Sequence, residues 1–257
     1  DKYRSIDVFD GVKVVENVDA ENCESVESAL AELRPDTIVN AIGVTKHVPD
    51  VGKTVKTIKI NALFPHQLAK IAAEQNARLI CISTDCVFSG DKGNYVETDA
   101  ADATDLYGRS KSLGEVVEGN CLTIRTSIIG RELFTRNSLV EWFLSNRDER
   151  VKGFTKAIFT GFPTVILAEI LADLIVNRPY LRGLYHVSSD KINKFELLEL
   201  INNELDVGAE LEADNEFVID RSLDSTRFRS ETGFMPQSWP EMIKRMADDA
   251  RIYKTIK

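Results

Sequence analysis

Three short apolar segments, each preceded by a helical pattern, constrain the fold of this chain more than any other feature. The apolar segments are residues 37–42, 79–83 and 122–126, and the helical patterns are residues 25–33, 58–75 with an interruption at Pro65, and 106–118. A strand that is apolar along its whole length is buried on both faces, as happens when helices cover both sides of a parallel sheet. Because crossovers between parallel strands are right-handed, we predict an α/β fold built on a doubly wound, Rossmann-like parallel sheet.

The second half of the chain alternates less regularly, which predicts a smaller α/β region beside the sheet. Helical patterns occupy residues 138–146, 165–177, 195–205 and 240–253, and a short apolar strand occupies residues 183–187. We expect residues 1–130 to form the sheet domain and residues 131–257 to form mainly a C-terminal substrate region, with about residues 160–190 returning to the sheet domain. Open α/β sheets bind ligands at the carboxyl ends of their strands, so the C-terminal region is expected to pack there.

The glycine-rich turn that cradles a diphosphate in dinucleotide-binding sheets is absent from this sequence. The nearest spacing, Gly90 to Gly93, follows the second apolar strand and is typical of a simple turn. The sequence begins at Asp1, and its first methionine is Met235. We therefore expect that a strand, a helix and a further strand carrying these glycines precede Asp1.

Charge and cysteine usage exclude several classes of function. The chain has 41 acidic and 32 basic side chains, and the net charge of −9 opposes binding to nucleic acid or to an anionic membrane. No segment approaches the ~18 consecutive apolar residues that a membrane span needs. The 4 cysteines and 3 histidines lack the spacing of metal ligands, so we predict free thiols, no metal site and a cytoplasmic protein.

Tyr107 and Lys111 are four residues apart within a helical pattern, which places a phenol and an ammonium on one helix face. A neighbouring ammonium favours phenolate, so we expect a lowered pKa for Tyr107 and proton exchange with a carbonyl or an alcohol. The same spacing recurs at residues 253–257, where we interpret it as incidental. Context separates the two pairs, because Ser83 and Thr84 end an apolar strand and a hydroxyl there can bind the same substrate oxygen.

The end of the preceding strand offers a further candidate surface. Residues 40–43 (NAIG) are small enough for a flat ring to approach the backbone. Lys46 and His47 follow closely enough to touch a substrate, although a solvated loop is the simpler interpretation. Three adjacent strand ends are thus predicted to converge on one site.

Taken together, these segments resemble the extended short-chain dehydrogenases/reductases, and most closely the dTDP-4-dehydrorhamnose reductase branch of the sugar-nucleotide reductases. The resemblance covers about residues 17–190 and is carried by PDTIVNAIG at 35–43, STDCVFSG at 83–90, YVET at 95–98, YGRSKSLGE at 107–115, RTS at 125–127 and GFPT at 161–164.

The resemblance implies a catalytic triad of Thr84, Tyr107 and Lys111. In such enzymes the tyrosine protonates a carbonyl oxygen while reduced nicotinamide, NADPH or NADH, delivers hydride. It also implies a nucleotide-sugar substrate and leaves a homodimer open. The residues it implies for cofactor binding are Asp19, Ala20, Asn40, Ala41, Ile42, Gly43, Ser83, Tyr107, Lys111, Thr126, Ser127 and Ile128.

Several features leave alternatives open. Cys86 stands where the family usually has tyrosine, and Ala103 stands where a proline is common, so the resemblance does not identify the particular sugar. A sugar-nucleotide epimerase or dehydratase would need a further carboxylate, for which Asp85 is the candidate.

A non-catalytic NADP-binding protein, resembling the regulatory subunit of methionine adenosyltransferase, is the rival from another class. The acidic segment of residues 199–216 is interpreted as a solvated face, and the arginines that follow it belong to a solvated face or bind a diphosphate: Arg221, Arg227 and Arg229.

Overall fold

The structure, a computed structural model, describes residues 11–46, 53–133 and 135–249. The strands are β1 (Thr37–Asn40), β2 (Arg78–Thr84), β3 (Cys121–Thr126), β4 (Ile128–Ile129), β5 (Arg150–Phe159), β6 (Phe162–Pro163), β7 (Gly183–His186), β8 (Ile192–Asn193) and β9 (Glu210–Asp220). The α-helices are α1 (Cys23–Leu33), α2 (Lys53–Thr57), α3 (Phe64–Glu74), α4 (Leu106–Leu113), α5 (Leu139–Ser145), α6 (Thr164–Val176), α7 (Lys194–Glu204), α8 (Thr226–Thr232) and α9 (Trp239–Asp249).

A parallel sheet with the strand order β1-β2-β3-β7 forms the centre of the fold. Its register places Asn40 beside Cys81, and Thr84 beside Thr126, so the predicted site residues lie at one edge of the sheet. The α/β class and the parallel, Rossmann-like sheet are therefore confirmed. Strand β7 follows α6 and pairs with β3, as expected for a segment that returns to the sheet.

Two apolar layers cover the two faces of this sheet, because successive side chains of a strand point to opposite sides. Leu79 and Cys81 of β2 pack in a cluster with Phe64, Leu68 and Ala72 of the α3 layer. Ile80 of β2 belongs instead to the larger cluster, together with residues of β3, α6 and the C-terminal region, such as Leu122, Ile124, Ile166, Ile170, Leu174, Leu197 and Met242. Each face is thus sealed by helices, which explains why the strands are apolar throughout.

The helical run before β2 begins earlier than predicted and ends where predicted, with Gln75 as its C-cap. It begins at Lys53, and α2 and α3 are joined by a π-helical segment, Ile58–Leu63, in which Phe64 N–H donates to the Lys59 carbonyl. Pro65 lies in the first turn of α3, where a missing N–H costs nothing, so it does not interrupt the helix as predicted.

The helix that carries Tyr107 is shorter than predicted. It ends at Leu113 instead of residue 118, with Gly114 as its C-cap. An added Cβ at Gly114 would lie 1.9 Å from the Asn61 carbonyl oxygen, so the chain turns here at a close contact with the π-helical segment.

The C-terminal region contains a second sheet, in the order β8-β5-β9, that the sequence did not reveal. Strand β9 covers part of the acidic segment that was interpreted as a solvated face, and most of its residues are indeed half-exposed or exposed. A strand covered on one side and rich in carboxylates lacks the apolar run that announced β1 to β3. The predicted helix over residues 240–253 is confirmed as α9 up to Asp249, and the incidental pair at residues 253–257 lies outside the described residues.

Neither a membrane-spanning helix nor a cluster of metal-ligating side chains is found among the described residues. Within residues 11–46, 53–133 and 135–249, no helix is both long and apolar enough to cross a bilayer. In the same ranges, no group of three or more metal-ligating side chains comes together.

Replacing Gly108 by alanine tests how closely α4 approaches the sheet. An added Cβ would lie 2.2 Å from the Cys86 carbonyl oxygen and 2.5 Å from Ala103 Cβ. Glycine to alanine inside a helix ordinarily stabilises, but overpacking here should lower the free energy of unfolding by about 2 kcal/mol, measured by urea denaturation. The control is Ser112→Ala on the same helix, expected to change it by less than about 0.5 kcal/mol. A Gly108→Ala protein as stable as the parent would contradict the close approach.

Candidate active site

Thr84 is the last residue of β2 and the N-cap of the short 3₁₀ turn Asp85–Val87. Its Oγ1 accepts a hydrogen bond from Cys86 N–H at 3.1 Å and donates to Asp85 Oδ1 at 3.1 Å. The buried hydroxyl is thus held at the carboxyl edge of the sheet by two local partners. Burial raises the pKa of the Asp85 carboxyl, opposed by its hydrogen bonds to Cys86 and Thr84.

Tyr107 and Lys111 occupy successive turns of α4, as their spacing predicted. The helix begins at an N-cap, Asp105, whose Oδ1 accepts from Gly108 N–H at 2.9 Å. The Thr84 hydroxyl lies close enough to the Tyr107 phenol to influence its pKa. Lys111 Nζ donates to the Ile82 carbonyl oxygen at 2.7 Å. The structure therefore brings the three predicted catalytic side chains together between α4 and the end of β2.

The expected lowering of the Tyr107 pKa is wrong for this structure. Burial of the phenol raises the pKa of Tyr107 to about 12, and the nearby Cys86, Asp85 and Asp105 add to this increase. The Thr84 hydroxyl acts in the opposite direction. The prediction considered the charge of Lys111 alone, whereas desolvation of the phenolate is the larger effect.

Lys111 is itself affected by burial. Its pKa is lowered chiefly by desolvation, while Cys81 and Glu115 act to raise it. Burial thus favours the neutral form of both members of the pair, the phenol and the amine. The Glu115 carboxylate therefore opposes the effect of burial on the Lys111 pKa.

The end of β1 lies beside this pair and presents a small, open surface. Asn40 is buried, whereas Ala41, Ile42 and Gly43 are exposed. Ile42 keeps 50% of its surface exposed, and among the described residues a Cβ at Gly43 would meet only Asn61 Oδ1, at 3.5 Å. This surface has the flat, apolar character expected where a ring approaches the backbone.

Asn61 holds the loop after β1 against α4, and the sequence interpretation missed it. Its Oδ1 accepts from Val44 N–H at 2.8 Å, and its Nδ2 donates to the Val44 carbonyl at 3.0 Å and to Ser110 Oγ at 3.2 Å. The signal in the sequence was an asparagine, which favours caps and turns over helix interiors, inside the helical pattern of residues 58–75.

The other predicted cofactor residues lie in two places, at the end of β3 and in the turn before α1. Thr126 ends β3 beside Thr84, and Ser127 and Ile128 follow it, with Ile128 51% exposed. Asp19 and Ala20 lie in the turn before α1, where Asp19 Oδ1 accepts from Glu21 N–H. Asp19 forms local hydrogen bonds, to Glu21 and Ser25.

Ser83 points to the other side of β2 from Thr84. Its Oγ donates to Glu115 Oε1 at 2.6 Å, and the side chain is buried. The hydroxyl is therefore engaged within the protein.

Basic side chains surround the site. Lys46 Nζ lies 2.7 Å from Asp105 Oδ2 and 5.7 Å from the centre of the Tyr107 ring. Arg221 Nε donates to the Phe88 carbonyl at 2.7 Å, and its Nη1 lies 3.9 Å from Cys86 Sγ.

The other two arginines of the predicted set are engaged elsewhere. Arg227 pairs with Glu231, and Arg229 pairs with Asp190. His47, the second loop candidate, lies outside the described residues.

The residues at this edge fit the nicotinamide end of a dinucleotide. Ile42 and Ile128 offer exposed apolar surface on either side of the Thr84 strand end, as a flat heterocycle requires. The fit concerns the ring end alone, because the described residues offer no glycine-rich turn for a diphosphate.

Comparison with known proteins gives a consistent result. The family model described as RmlD substrate binding domain matches residues 7–252. The dTDP-4-dehydrorhamnose reductase of Aggregatibacter actinomycetemcomitans is 25% identical over 258 residues, or 89% of this chain and 86% of that protein. The enzyme of the same name from Salmonella typhimurium is 32% identical over 183 residues, or 66% of this chain and 59% of that protein.

The fold comparison agrees with the sequence comparison. The crystal structure of dTDP-4-dehydrorhamnose reductase from Bacillus anthracis, in complex with NADP, superposes with a TM-score of 0.78. It is 23% identical in sequence, and the match covers 90% of this chain and 87% of that one. At this identity the likeness concerns the fold.

The state of the Tyr107 phenol can be measured directly. Because burial raises the pKa of Tyr107 to about 12, the phenol should stay protonated at pH 10, where an ordinary tyrosine is about half ionised. The measurement is a pH titration of ¹³Cζ-labelled tyrosine by NMR, with the Tyr107 resonance assigned by its loss in Tyr107→Phe. If that resonance shows the Tyr107 phenol ionising with a midpoint at or below pH 10, burial does not determine the pKa of Tyr107.

Proposed function

Because the chain belongs to the RmlD substrate-binding-domain family, we propose that it is an NAD(P)H-dependent reductase of a keto group on a nucleotide-activated deoxysugar. The observation that carries the proposal is the meeting of Thr84, Tyr107 and Lys111 at the carboxyl edge of a parallel sheet. Ligands of open α/β sheets bind at this edge.

In this proposal Tyr107 is the proton donor. Its raised pKa keeps the phenol protonated at neutral pH, so the proton is available when negative charge develops on the carbonyl oxygen. Thr84 would turn its hydroxyl proton from Asp85 Oδ1 to the same oxygen and so orient the carbonyl. The Lys111 ammonium would stabilise the phenolate that remains after proton transfer.

The cofactor would lie along the strand ends. When bound, the reduced nicotinamide would supply the hydride, and the protein would supply orientation and the proton. We assign its ring end to Ile42, Gly43 and Ile128, and Lys111 to its ribose. The further residues of the proposed cofactor set are Asp19, Ala20, Asn40, Ala41, Ser83, Tyr107, Thr126 and Ser127. The NADP bound to the Bacillus anthracis protein supports NADPH as the first cofactor to test.

For the substrate diphosphate, we propose Arg221 in preference to Arg227 and Arg229. Arg221 lies beside Cys86 and the site, whereas the other two pair with carboxylates on α8 and after β7. A guanidinium can bind phosphate oxygens through two parallel hydrogen bonds. Lys194, at the start of α7, adds a second cation from the C-terminal region near Asp85 and Cys86.

Several coarser expectations belong to the same proposal. The described residues favour a reductase over an epimerase or dehydratase, because Asp85 is buried and already accepts from Thr84. We also propose that the boundary between the sheet domain and the C-terminal substrate region lies near residue 130. A cytoplasmic location and a homodimer are the remaining parts of the proposal.

Tyr107→Phe tests the proposed function. The variant loses only the phenolic oxygen, so it should still bind NADPH, while turnover of NADPH with a dTDP-4-keto-sugar falls by about 10²- to 10⁴-fold. The measurement is NADPH absorbance during turnover, with NADPH binding followed by fluorescence. Tyr180→Phe, on an exposed side chain after α6, is the matched control and should keep full activity.

Two outcomes would contradict the proposal. A Tyr107→Phe protein with full turnover would remove the proton donor from the mechanism. A parent protein that binds NADPH and consumes none with keto-sugar nucleotides would favour the non-catalytic alternative.

A further inference from the structure

A buried ion pair lies directly beneath the candidate active site. Arg125 of β3 donates from Nε to Glu115 Oε1 and from Nη2 to Oε2, each at 2.7 Å. The side chains are only 5% and 8% exposed. Such a bidentate pair combines charge with a fixed geometry.

This pair contacts both elements that carry the catalytic side chains. Glu115 follows α4 by two residues, and its Oε1 also accepts from Ser83 Oγ at 2.6 Å. Lys111, one turn earlier, donates to the Ile82 carbonyl, the residue before Ser83. The end of α4 and the end of β2 are therefore joined at two successive points, adjacent to Thr84.

The Arg125 guanidinium is also held on the side away from Glu115, by His186. Arg125 Nη1 lies 3.2 Å from His186 Nε2, and His186 Nδ1 lies 3.0 Å from the Tyr95 carbonyl oxygen. Arginine has no acceptor, so Nε2 must accept and Nδ1 must donate, which requires the neutral form of His186. Burial lowers the pKa of His186, in agreement with this assignment. Arg125 is thus held between β7 and Glu115.

We propose that the Glu115–Arg125 pair is a positioning unit for the reaction, holding Ser83 and the Lys111 ammonium in register with Thr84 and Tyr107. The inference rests on the proposed function. Glu115 does not touch the reacting atoms, and it acts through Ser83 and Lys111.

The proposal makes a specific statement about charge. Glu115 favours the charged form of Lys111 against the effect of burial. Removing that negative charge should therefore lower the pKa of Lys111 further and shift the alkaline limb of activity to lower pH. Titratable and charged groups face Glu115 and Lys111 from several elements. They are Cys81 from β2, Tyr107 on α4, Arg125 from β3, His186 from β7, and Glu97, whose carboxylate accepts from the backbone N–H of His186.

The test uses Glu115→Gln, and a second variant separates positioning from folding. Glu115→Gln leaves Arg125 buried without a counter-charge, which destabilises the protein. The double variant Glu115→Gln with Arg125→Gln removes both charges together and should recover thermal stability. Glu141→Gln is the matched control, because Glu141 is an equally buried partner of Arg131 outside the site.

Two readouts are measured for every variant. The first is kcat and KM with NADPH and the keto-sugar nucleotide, as a function of pH. The second is the titration of Lys111 by NMR of ¹³Cε- and ¹⁵Nζ-labelled lysine, assigned with Lys111→Arg. The second needs no turnover, so it remains informative if the proposed function fails.

The expected result is a kcat reduced about tenfold or more in Glu115→Gln, with KM for the sugar nucleotide changed less than about twofold. The Lys111 titration should move to lower pH in this variant and in the double variant, and stay unchanged in Glu141→Gln. The double variant should recover stability without recovering kcat.

Either of two results would overturn the proposal. One is a Lys111 titration and kcat that are unchanged in Glu115→Gln. The other is a double variant that recovers kcat along with its stability, since the pair would then serve folding alone.

Discussion

The alignment of the carboxyl ends of β1, β2 and β3 at one edge of a parallel sheet is the constraint on which the rest of the site depends. Because the strands are parallel and in register, Thr84 of β2 lies beside Thr126, and Asn40 lies beside Cys81 of the same strand, although they are far apart in the chain. Helices on both faces leave this edge as the open part of the sheet. The helix α4 then packs against it closely enough that Gly108 contacts the Cys86 backbone.

Close packing has an electrostatic consequence for the catalytic pair. Burial favours neutral phenol at Tyr107 and neutral amine at Lys111, which are the forms with the smallest desolvation cost. The phenol in this form is a proton donor. The charge of Glu115 raises the pKa of Lys111 against the effect of burial, which links the buried ion pair to the proposed proton donor.

The sequence predicted the parts of the fold that depend on local pattern, and the rest depends on tertiary contacts. The apolar runs identified β1, β2 and β3, and the spacing of Tyr107 and Lys111 identified the helix face. Strand β9 was missed because its exposed side is acidic and its pattern is not apolar.

The site was predictable to a similar degree. The placement of Thr84, Tyr107 and Lys111 near one another was predictable from the strand end and the helical spacing, and their catalytic roles stay a prediction carried by the resemblance. The direction of the Tyr107 pKa shift did not, because burial is a property of the assembled structure. Similarly, the partners of Arg125 and Asn61 come from elements distant in sequence.

The most direct measurement is a crystal structure of the protein with NADP and the reduced sugar nucleotide. It should show the sugar hydroxyl oxygen within hydrogen-bonding distance of both Tyr107 Oη and Thr84 Oγ1, with the nicotinamide beside it at the ends of β1 and β3. A sugar oxygen bound by other groups, with Tyr107 and Thr84 remote from it, would contradict the account.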